Sequence, residues 1–317
     1  MKELFRKALL FLLVFLGVYL LVFWVLCQVQ VGGTPFIYRT SDYLNWKGGN
    51  SYRKFQEFRK DSLYDVVFIG SSHAYRGYDP VLFTQRGHSS FNLGTSAQSP
   101  LNSYYILKNY LDSGNTRLII LDTYEAAMEM DGIESTADLT QNISSDAAAV
   151  GMALALRDPR GLNMLTLRMM RRDAPPMYAD EGYRPGGSAL RPDSVKGDIH
   201  YVVGRPLALE ERQVRYMRAF FRHCQEQHIP LVLVNHYYPK ASDRAKHAVF
   251  NAFLQKEADA FGLRYFDLAY DHELDDRDHF YDHNHLNKAG VEIFNARLID
   301  LLEREGILRL DGRGRVR

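Results

Sequence analysis

Apolar residues fall along this chain in two ways: one long unbroken run near the start, then short runs spaced through the rest. The short runs read as strands. Tyr64-Asp65-Val66-Val67-Phe68-Ile69-Gly70 is largely apolar and ends in a turn, and residues 89–94 give a shorter second stretch. Arg117-Leu118-Ile119-Ile120-Leu121-Asp122 is a third, Pro230-Leu231-Val232-Leu233-Val234-Asn235 a fourth and Arg264-Tyr265-Phe266-Asp267 a fifth. Apolar runs without alternation belong to strands buried on both faces. Helical spacing fills the intervals over 100–111, 209–227 and 241–261. A last helix starting near Asn287 sets Val291, Phe294, Leu298 and Leu301 on one face at steps of three and four. Strands alternating with helices predict an α/β fold, a flavodoxin-like three-layer sandwich around a mostly parallel five-stranded sheet.

The long run covers residues 8–27 and holds no charge and no proline. Twenty residues rising about 1.5 Å each reach about 30 Å, the thickness of a bilayer hydrocarbon core. A cleaved signal has a shorter apolar region, roughly 7–15 residues, and a small-residue cleavage site. No such site follows Cys27, and Trp24-Val25-Leu26-Cys27 lacks the small residue that precedes a lipidated cysteine. Residues 1–30 are therefore read as an uncleaved signal anchor, one transmembrane helix. Lys2, Arg6 and Lys7 against Glu3 keep the N-terminus cytoplasmic and send the rest into the periplasm or other extracytoplasmic space.

Residues 31–62, broken by Gly32, Gly33, Pro35, Gly48 and Gly49, read as a stalk or linker. Residues 63–306 form the expected α/β domain, and 307–317 a flexible basic tail. The stretch 128–198 breaks the strand–helix rhythm. It carries the Arg-rich piece Leu165-Thr166-Leu167-Arg168-Met169-Met170-Arg171-Arg172 and the loops Ala174-Pro175-Pro176 and Arg184-Pro185-Gly186-Gly187. It is read as an insertion over the sheet's C-terminal edge, in the manner of a lid. Arg168, Arg171 and Arg172 read either as a solvated helix face or as a contact for anionic lipid or polymer.

Composition narrows the partners. A net charge of +1 gives a nucleic-acid partner no electrostatic support. Cys27 lies in the apolar run and Cys224 in an expected helix, so no disulfide framework is expected, as suits a bacterial envelope protein. The 20 Tyr and 18 Phe serve either a packed core or a carbohydrate-facing surface.

Two motifs carry chemistry. The first strand runs into Gly70-Ser71-Ser72-His73-Ala74-Tyr75-Arg76-Gly77, and the chain later reads Phe280-Tyr281-Asp282-His283-Asn284-His285-Leu286-Asn287. A serine at the end of a buried strand and an Asp-x-x-His pair before a final helix make the layout of a Ser-His-Asp hydrolase or acyltransferase. Ligands of an open α/β sheet bind beyond the carboxyl ends of its strands. Ser72, Gly94, residues 122–125, Asp282 and His285 all fall at that edge. Asp278, His279, Asp282, His283 and His285 are also metal-ligand types, but no second cluster supports them, so neither metal nor cofactor is expected.

At these residues the chain resembles the SGNH/GDSL superfamily of serine hydrolases and acyltransferases. Gly70-Ser71-Ser72 with Gly77 is similar to its first block, Asn92-Leu93-Gly94 to its second, and Asp282-x-x-His285-Leu286-Asn287 to its last. The resemblance implies Ser72 as nucleophile, His285 as general base and Asp282 as its orienter. It implies the Ser72 and Gly94 N–H groups as an oxyanion hole. Two positions depart from the family: Ser71 stands where it has aspartate, and Asp122-Thr123-Tyr124-Glu125 replaces its third block. Asn235 ends the fourth strand and is not assigned the missing donor role. Ser71 is the alternative nucleophile. His73 reads as a neighbour or substrate contact, or as a partly exposed loop histidine.

The Gly-Ser-Ser form and the single span resemble the membrane-anchored branch containing the teichoic-acid D-alanylation and alginate O-acetylation proteins. That implies an esterase or O-acyltransferase held at the inner or cytoplasmic membrane. Its substrate would be an acylated glycan or glycolipid, and its partner a membrane acyl-transfer protein. The alternative is a non-catalytic assembly or binding partner that keeps the fold.

Overall fold

The computed structural model describes residues 1–41, 43–44, 47–176, 182–195, 197 and 199–309. Residues 310–317, most of the expected tail, lie outside the described residues, as do 42, 45–46, 177–181, 196 and 198.

The chain opens with helix α1 (Lys2–Gln28), long and apolar enough to cross a membrane and exposed along most of its length. A small hairpin of β1 (Gln30–Val31) and β2 (Thr34–Pro35) follows, then helix α2 (Gly49–Glu57). The central sheet begins at β3 (Val66–Ile69), which pairs in parallel with β4 (Ser90–Asn92) and with β5 (Ile119–Asp122). Next to β5 lies β6 (Leu231–Asn235), and β7 (Arg264–Asp267) forms the far edge, again in parallel. Counted within this sheet the order is 2-1-3-4-5, which places the reversal of winding between β3 and β5.

Alternate residues of the buried strands feed two cores. Val67 and Ile69 face the layer containing α5 (Pro100–Tyr110), α10 (Glu211–Glu226) and α11 (Arg244–Phe261). Val66 and Phe68 face α3 (Ser72–Gly77), α4 (Pro80–Gln85) and α12 (Lys288–Arg304). The three-layer α/β sandwich expected from the apolar runs is thus the observed fold. Helix α12 buries Val291, Phe294, Leu298 and Leu302, while Leu301 is only half-buried. Each full burial of such a side chain stabilises by about 1.5–3 kcal/mol.

Two stretches depart from expectation. Part of the stalk is built into the domain: α2 buries Ser51, Lys54 and Phe55, and Phe58 joins the same core. These positions recur at steps of three, one and three, a helical stripe that the surrounding polar residues conceal. Helix α6 (Glu125–Glu129) runs into the start of the stretch 128–198, which holds α7 (Ile133–Asn142), α8 (Asp146–Ala155) and α9 (Pro159–Met170). Its helices α7 to α9 do not form a lid over the sheet edge. Leu139, Ile143, Ala149 and Met152, from α7 to α8, pack into the core that holds α5, while α9 buries Met164 against Ile133 and Ala137 and Leu167 against Phe23 and Cys27. Burial of that apolar face decides their place. Further on, residues 182–191 run beside β4: Gly186 O accepts from Asn92 N at 2.7 Å and Arg184 pairs with buried Asp79 at 2.7 Å.

Candidate active site

The turn that carries Ser71 and Ser72 is made by close packing. Gly70 ends β3 where a Cβ would lie 2.8 Å from Asp122 Cβ and 2.9 Å from Ala74 Cβ, so only glycine lets the chain turn there. Ser71 is the N-cap of α3: its Oγ accepts from His73 N at 3.4 Å, and the residue is buried. It caps the helix, and Ser72 is the serine that meets the base.

Ser72 Oγ lies 2.8 Å from His285 Nε2, and His285 Nδ1 lies 2.9 Å from Asp282 Oδ2. A short loop makes the Asp-x-x-His pair. Tyr281 N donates to His285 O at 2.8 Å, and Phe280 and Leu286 bridge the two sides with both side chains buried. Asp282 Oδ1 accepts from the backbone N–H of Asn284 at 3.0 Å and of His285 at 2.8 Å, so the carboxylate shapes the loop as well as the imidazole. Asn287 then caps α12 by accepting from Gly290 N at 3.0 Å. A Cβ at Gly290 would fall 2.3 Å from His279 O, which explains how loop and helix approach so closely.

Burial raises the Asp282 pKa, but its bonds from His285 and the loop N–H groups outweigh this and bring it down to about 2. His285 moves down as well. Burial is the largest cause, Asp282 pulls the other way without cancelling it, and Arg76 and His236 add to the lowering. A general base works only when neutral, so the acid limb of kcat/KM is expected to have its midpoint below the ordinary histidine value of 6.5. Asp282 stays ionised throughout that limb. A pH–rate profile with its midpoint above 6.5 would contradict this electrostatic account.

Gly94 sits against the first turn of α3, where a Cβ would lie 2.6 Å from Ala74 Cβ. Its N–H donates to Asn92 Oδ1 at 3.0 Å, while Asn92 Nδ2 donates to Ala74 O and Tyr78 O, each at 2.8 Å. Its expected place in an oxyanion hole therefore requires this bond to be exchanged for one to substrate. The Gly94 carbonyl accepts from the Nζ of Lys54, a wholly buried residue of α2 whose pKa burial brings down to about 7. Helix α2, which precedes the sheet in the chain, thereby fixes the turn beside Ser72. Gly94→Ala is expected to force that turn away from α3 and cost about 1–3 kcal/mol of stability, as overpacking does. Ala74→Gly in the same chain should restore part of the loss, and a thermal melt of the two variants checks it.

Behind the triad lies a buried polar cluster. Against the expectation of a partly exposed loop residue, His73 is buried on α3, its ring centroid 5.0 Å from that of His285 and 4.2 Å from that of His236. His236 Nδ1 meets Asp122 Oδ1 at 3.0 Å, and Tyr78 Oη donates to the same oxygen at 2.9 Å. Burial holds the His73 pKa well below its usual range, and the nearby His236 and His285 add to this. His73, Asp122 and His236 offer ligand-type atoms within 4.8 Å of one another. A dication there would stand one ring from His285 and disfavour a positive charge on that imidazole. The downstream group Asp278, His279, Asp282, His283 and His285 does not converge on one point, because Asp282 and His285 bond to each other and His279 to the Asp275 backbone.

Asn235 is taken up by the fold: Oδ1 accepts from the Thr123 hydroxyl and Nδ2 donates to Tyr265 at 2.9 Å. Beside His73 opens a cleft of about 400 Å³ lined by Tyr124, Tyr201, Tyr238, His200, His283 and Arg205, among others. Asn284 Nδ2 donates to Tyr124 Oη across its wall at 3.3 Å. Neither Lys54 nor the pairing of Asp122 with His236 was marked in the sequence as part of the site. The one available signal was that Asp122 ends a strand at the ligand edge.

Comparison with protein-family models and with curated proteins finds no match. Among solved structures, an acetyl-xylooligosaccharide esterase variant from Geobacillus is 10% identical, over 80% of this chain and 98% of that one, with a TM-score of 0.42. A GDSL-like lipase from Bacteroides thetaiotaomicron is 10% identical over 76% and 89%, with a TM-score of 0.41. The lipase/acylhydrolase from Enterococcus faecalis is 11% identical over 79% and 100%, with a TM-score of 0.39. With identities and TM-scores this low, these likenesses carry no argument, and the fold and the chemistry are read from the structure itself.

Proposed function

We propose that the protein is a membrane-anchored SGNH-type serine esterase or O-acyltransferase that handles acyl groups of a cell-surface glycan or glycolipid. The observation that carries this reading is the continuous line from Ser72 Oγ through His285 to Asp282, with contacts of 2.8 and 2.9 Å. In the first step Ser72 Oγ attacks the ester carbonyl while His285 Nε2 takes its proton. Asp282 holds the imidazole by Nδ1 and stabilises the imidazolium that forms. The Ser72 N–H, with the Gly94 N–H once released from Asn92, receives the oxyanion. Collapse expels the alcohol, which takes the proton from His285 and leaves an acyl group on Ser72. Water or a sugar hydroxyl, deprotonated by the same imidazole, then attacks the acyl-enzyme and frees Ser72.

Substrate class is inferred from the cleft and from α1. Tyr124 and Tyr201 line the cleft with aromatic rings of the kind that bind sugars, and a spanning helix would keep the site near envelope polymers and lipid-linked glycans. A membrane acyl-transfer protein would supply the acyl group if the enzyme is a transferase. The engagement of Gly94 N–H by Asn92 favours a second reading, a non-catalytic partner in envelope polymer modification. Labelling of the full chain with a fluorophosphonate, followed by identification of the modified peptide, separates the two. A label on Ser72 supports the enzyme, and no labelling supports the binding partner.

A further inference from the structure

Helix α9 is held against the outer end of α1. Tyr19 Oη donates to Asn163 Oδ1 at 2.8 Å, and Leu167 packs with Phe23 and Cys27. Tyr19 lies about two turns inside the end of the apolar run. In a bilayer spanned by α1 this contact brings α9 to the boundary of headgroups and acyl chains, where interfacial helices lie roughly 5–10 Å deep. The side chains of α9 suit that depth. Leu162 and Met169 are 60% and 76% exposed, and with Leu165 they form one stripe at steps of three and four. On neighbouring α8, Val150 and Leu154 are also exposed.

Beside this stripe is a cleft of about 400 Å³ whose lining is part apolar and part cationic. Its apolar lining includes Val150, Leu165 and Met169, and its cationic lining Lys47, Arg168, Arg171 and Arg172. The carboxylates facing these cations are Asp146, 2.7 Å from Arg168 and 3.4 Å from Arg172, and Asp173 beside Lys47. Four cations against two carboxylates leave an excess of two positive charges. The Lys47 pKa is lowered by burial first, and the three arginines add to that lowering.

We propose that this cleft binds a phosphate-bearing lipid of the leaflet on the domain's side, with the phosphate at its cationic residues and an acyl chain along Val150, Leu165 and Met169. The domain is then seated on the membrane at a second point beside its anchor. This rests on reading residues 8–27 as a bilayer span.

The test uses the full chain in lipid nanodiscs. In a Trp46→Phe chain Trp24 is the sole tryptophan and reports the anchor; adding Met169→Trp reports the cleft, and adding Val249→Trp instead gives an exposed control on α11. Phosphatidylglycerol brominated near the headgroup end of its chains is expected to quench the added indole at 169 by about half or more, and the one at 249 by less than about a tenth. Brominated phosphatidylcholine at the same fraction should quench residue 169 less, and Lys47→Gln with Arg172→Gln should remove the difference. If Trp24 is quenched and residue 169 is not, the lipid cleft is refuted while the anchor stands. If neither is quenched, both fall. Loss of the phosphatidylglycerol preference on adding millimolar inorganic phosphate would make this a free-anion site and overturn the lipid.

Discussion

Replacing Ser72 by alanine is expected to remove fluorophosphonate labelling completely and to lower esterase or transferase turnover by on the order of 10⁶-fold, as loss of a catalytic serine does. The fold should survive, because Ser72 Oγ makes its recorded bond to His285 and not to the scaffold. The turn is held by other atoms: the Ser71 cap, the close approach of Gly70 to Asp122 and Ala74, and the donation of Thr95 N to Gly70 O at 3.2 Å. Ser71→Ala removes a weak cap, worth about 0.5–2 kcal/mol at most, and should leave labelling intact. Labelling that persists in Ser72→Ala and vanishes in Ser71→Ala would transfer the nucleophile by one residue. Equal labelling of wild type and both variants would remove the serine chemistry altogether.

The sheet was legible because its strands are buried on both faces. Val66–Ile69, Ile119–Asp122 and Leu231–Asn235 carry no competing helical period, so each apolar run had one reading. Ser72, Asp282 and His285 were legible for a related reason: strand ends place residues at a common edge, and an Asp-x-x-His pair is local enough for the loop to join it. What the sequence hid was long-range and buried. Lys54 lies 40 positions before the carbonyl that it meets, in a stretch whose glycines and charges suggest a solvated stalk. His73 looked like a loop residue because nothing local reveals that His236 and Tyr124 close over it. The packing of α7 and α8 is hidden for the same cause: they bury an apolar face in the core that holds α5, and no pattern within them names the partner.

Removing the base should cost nearly as much as removing the nucleophile. His285→Ala is expected to lower turnover by several orders of magnitude, and Ser72→Ala with His285→Ala should be no worse than Ser72→Ala alone, since the two act as a unit. Asp282→Asn tests the orienting role separately. An asparagine retains an oxygen for the N–H groups of Asn284 and His285, so the loop should keep its shape. Its amide can also donate to His285 Nδ1, which would move the imidazole proton to Nε2, the atom that has to accept from Ser72. The expected loss is about 10⁴-fold in turnover, with KM little changed. Asp282→Ala would confuse the two roles, because it also strips the loop of the acceptor for two backbone N–H groups. A turnover for Asp282→Asn within about tenfold of wild type would show that the imidazole is oriented by something else. Activity that survives His285→Ala and disappears with a chelator would place the chemistry on a metal instead. Steady-state kinetics on the four variants, with thermal melts to confirm folding, decides among these outcomes.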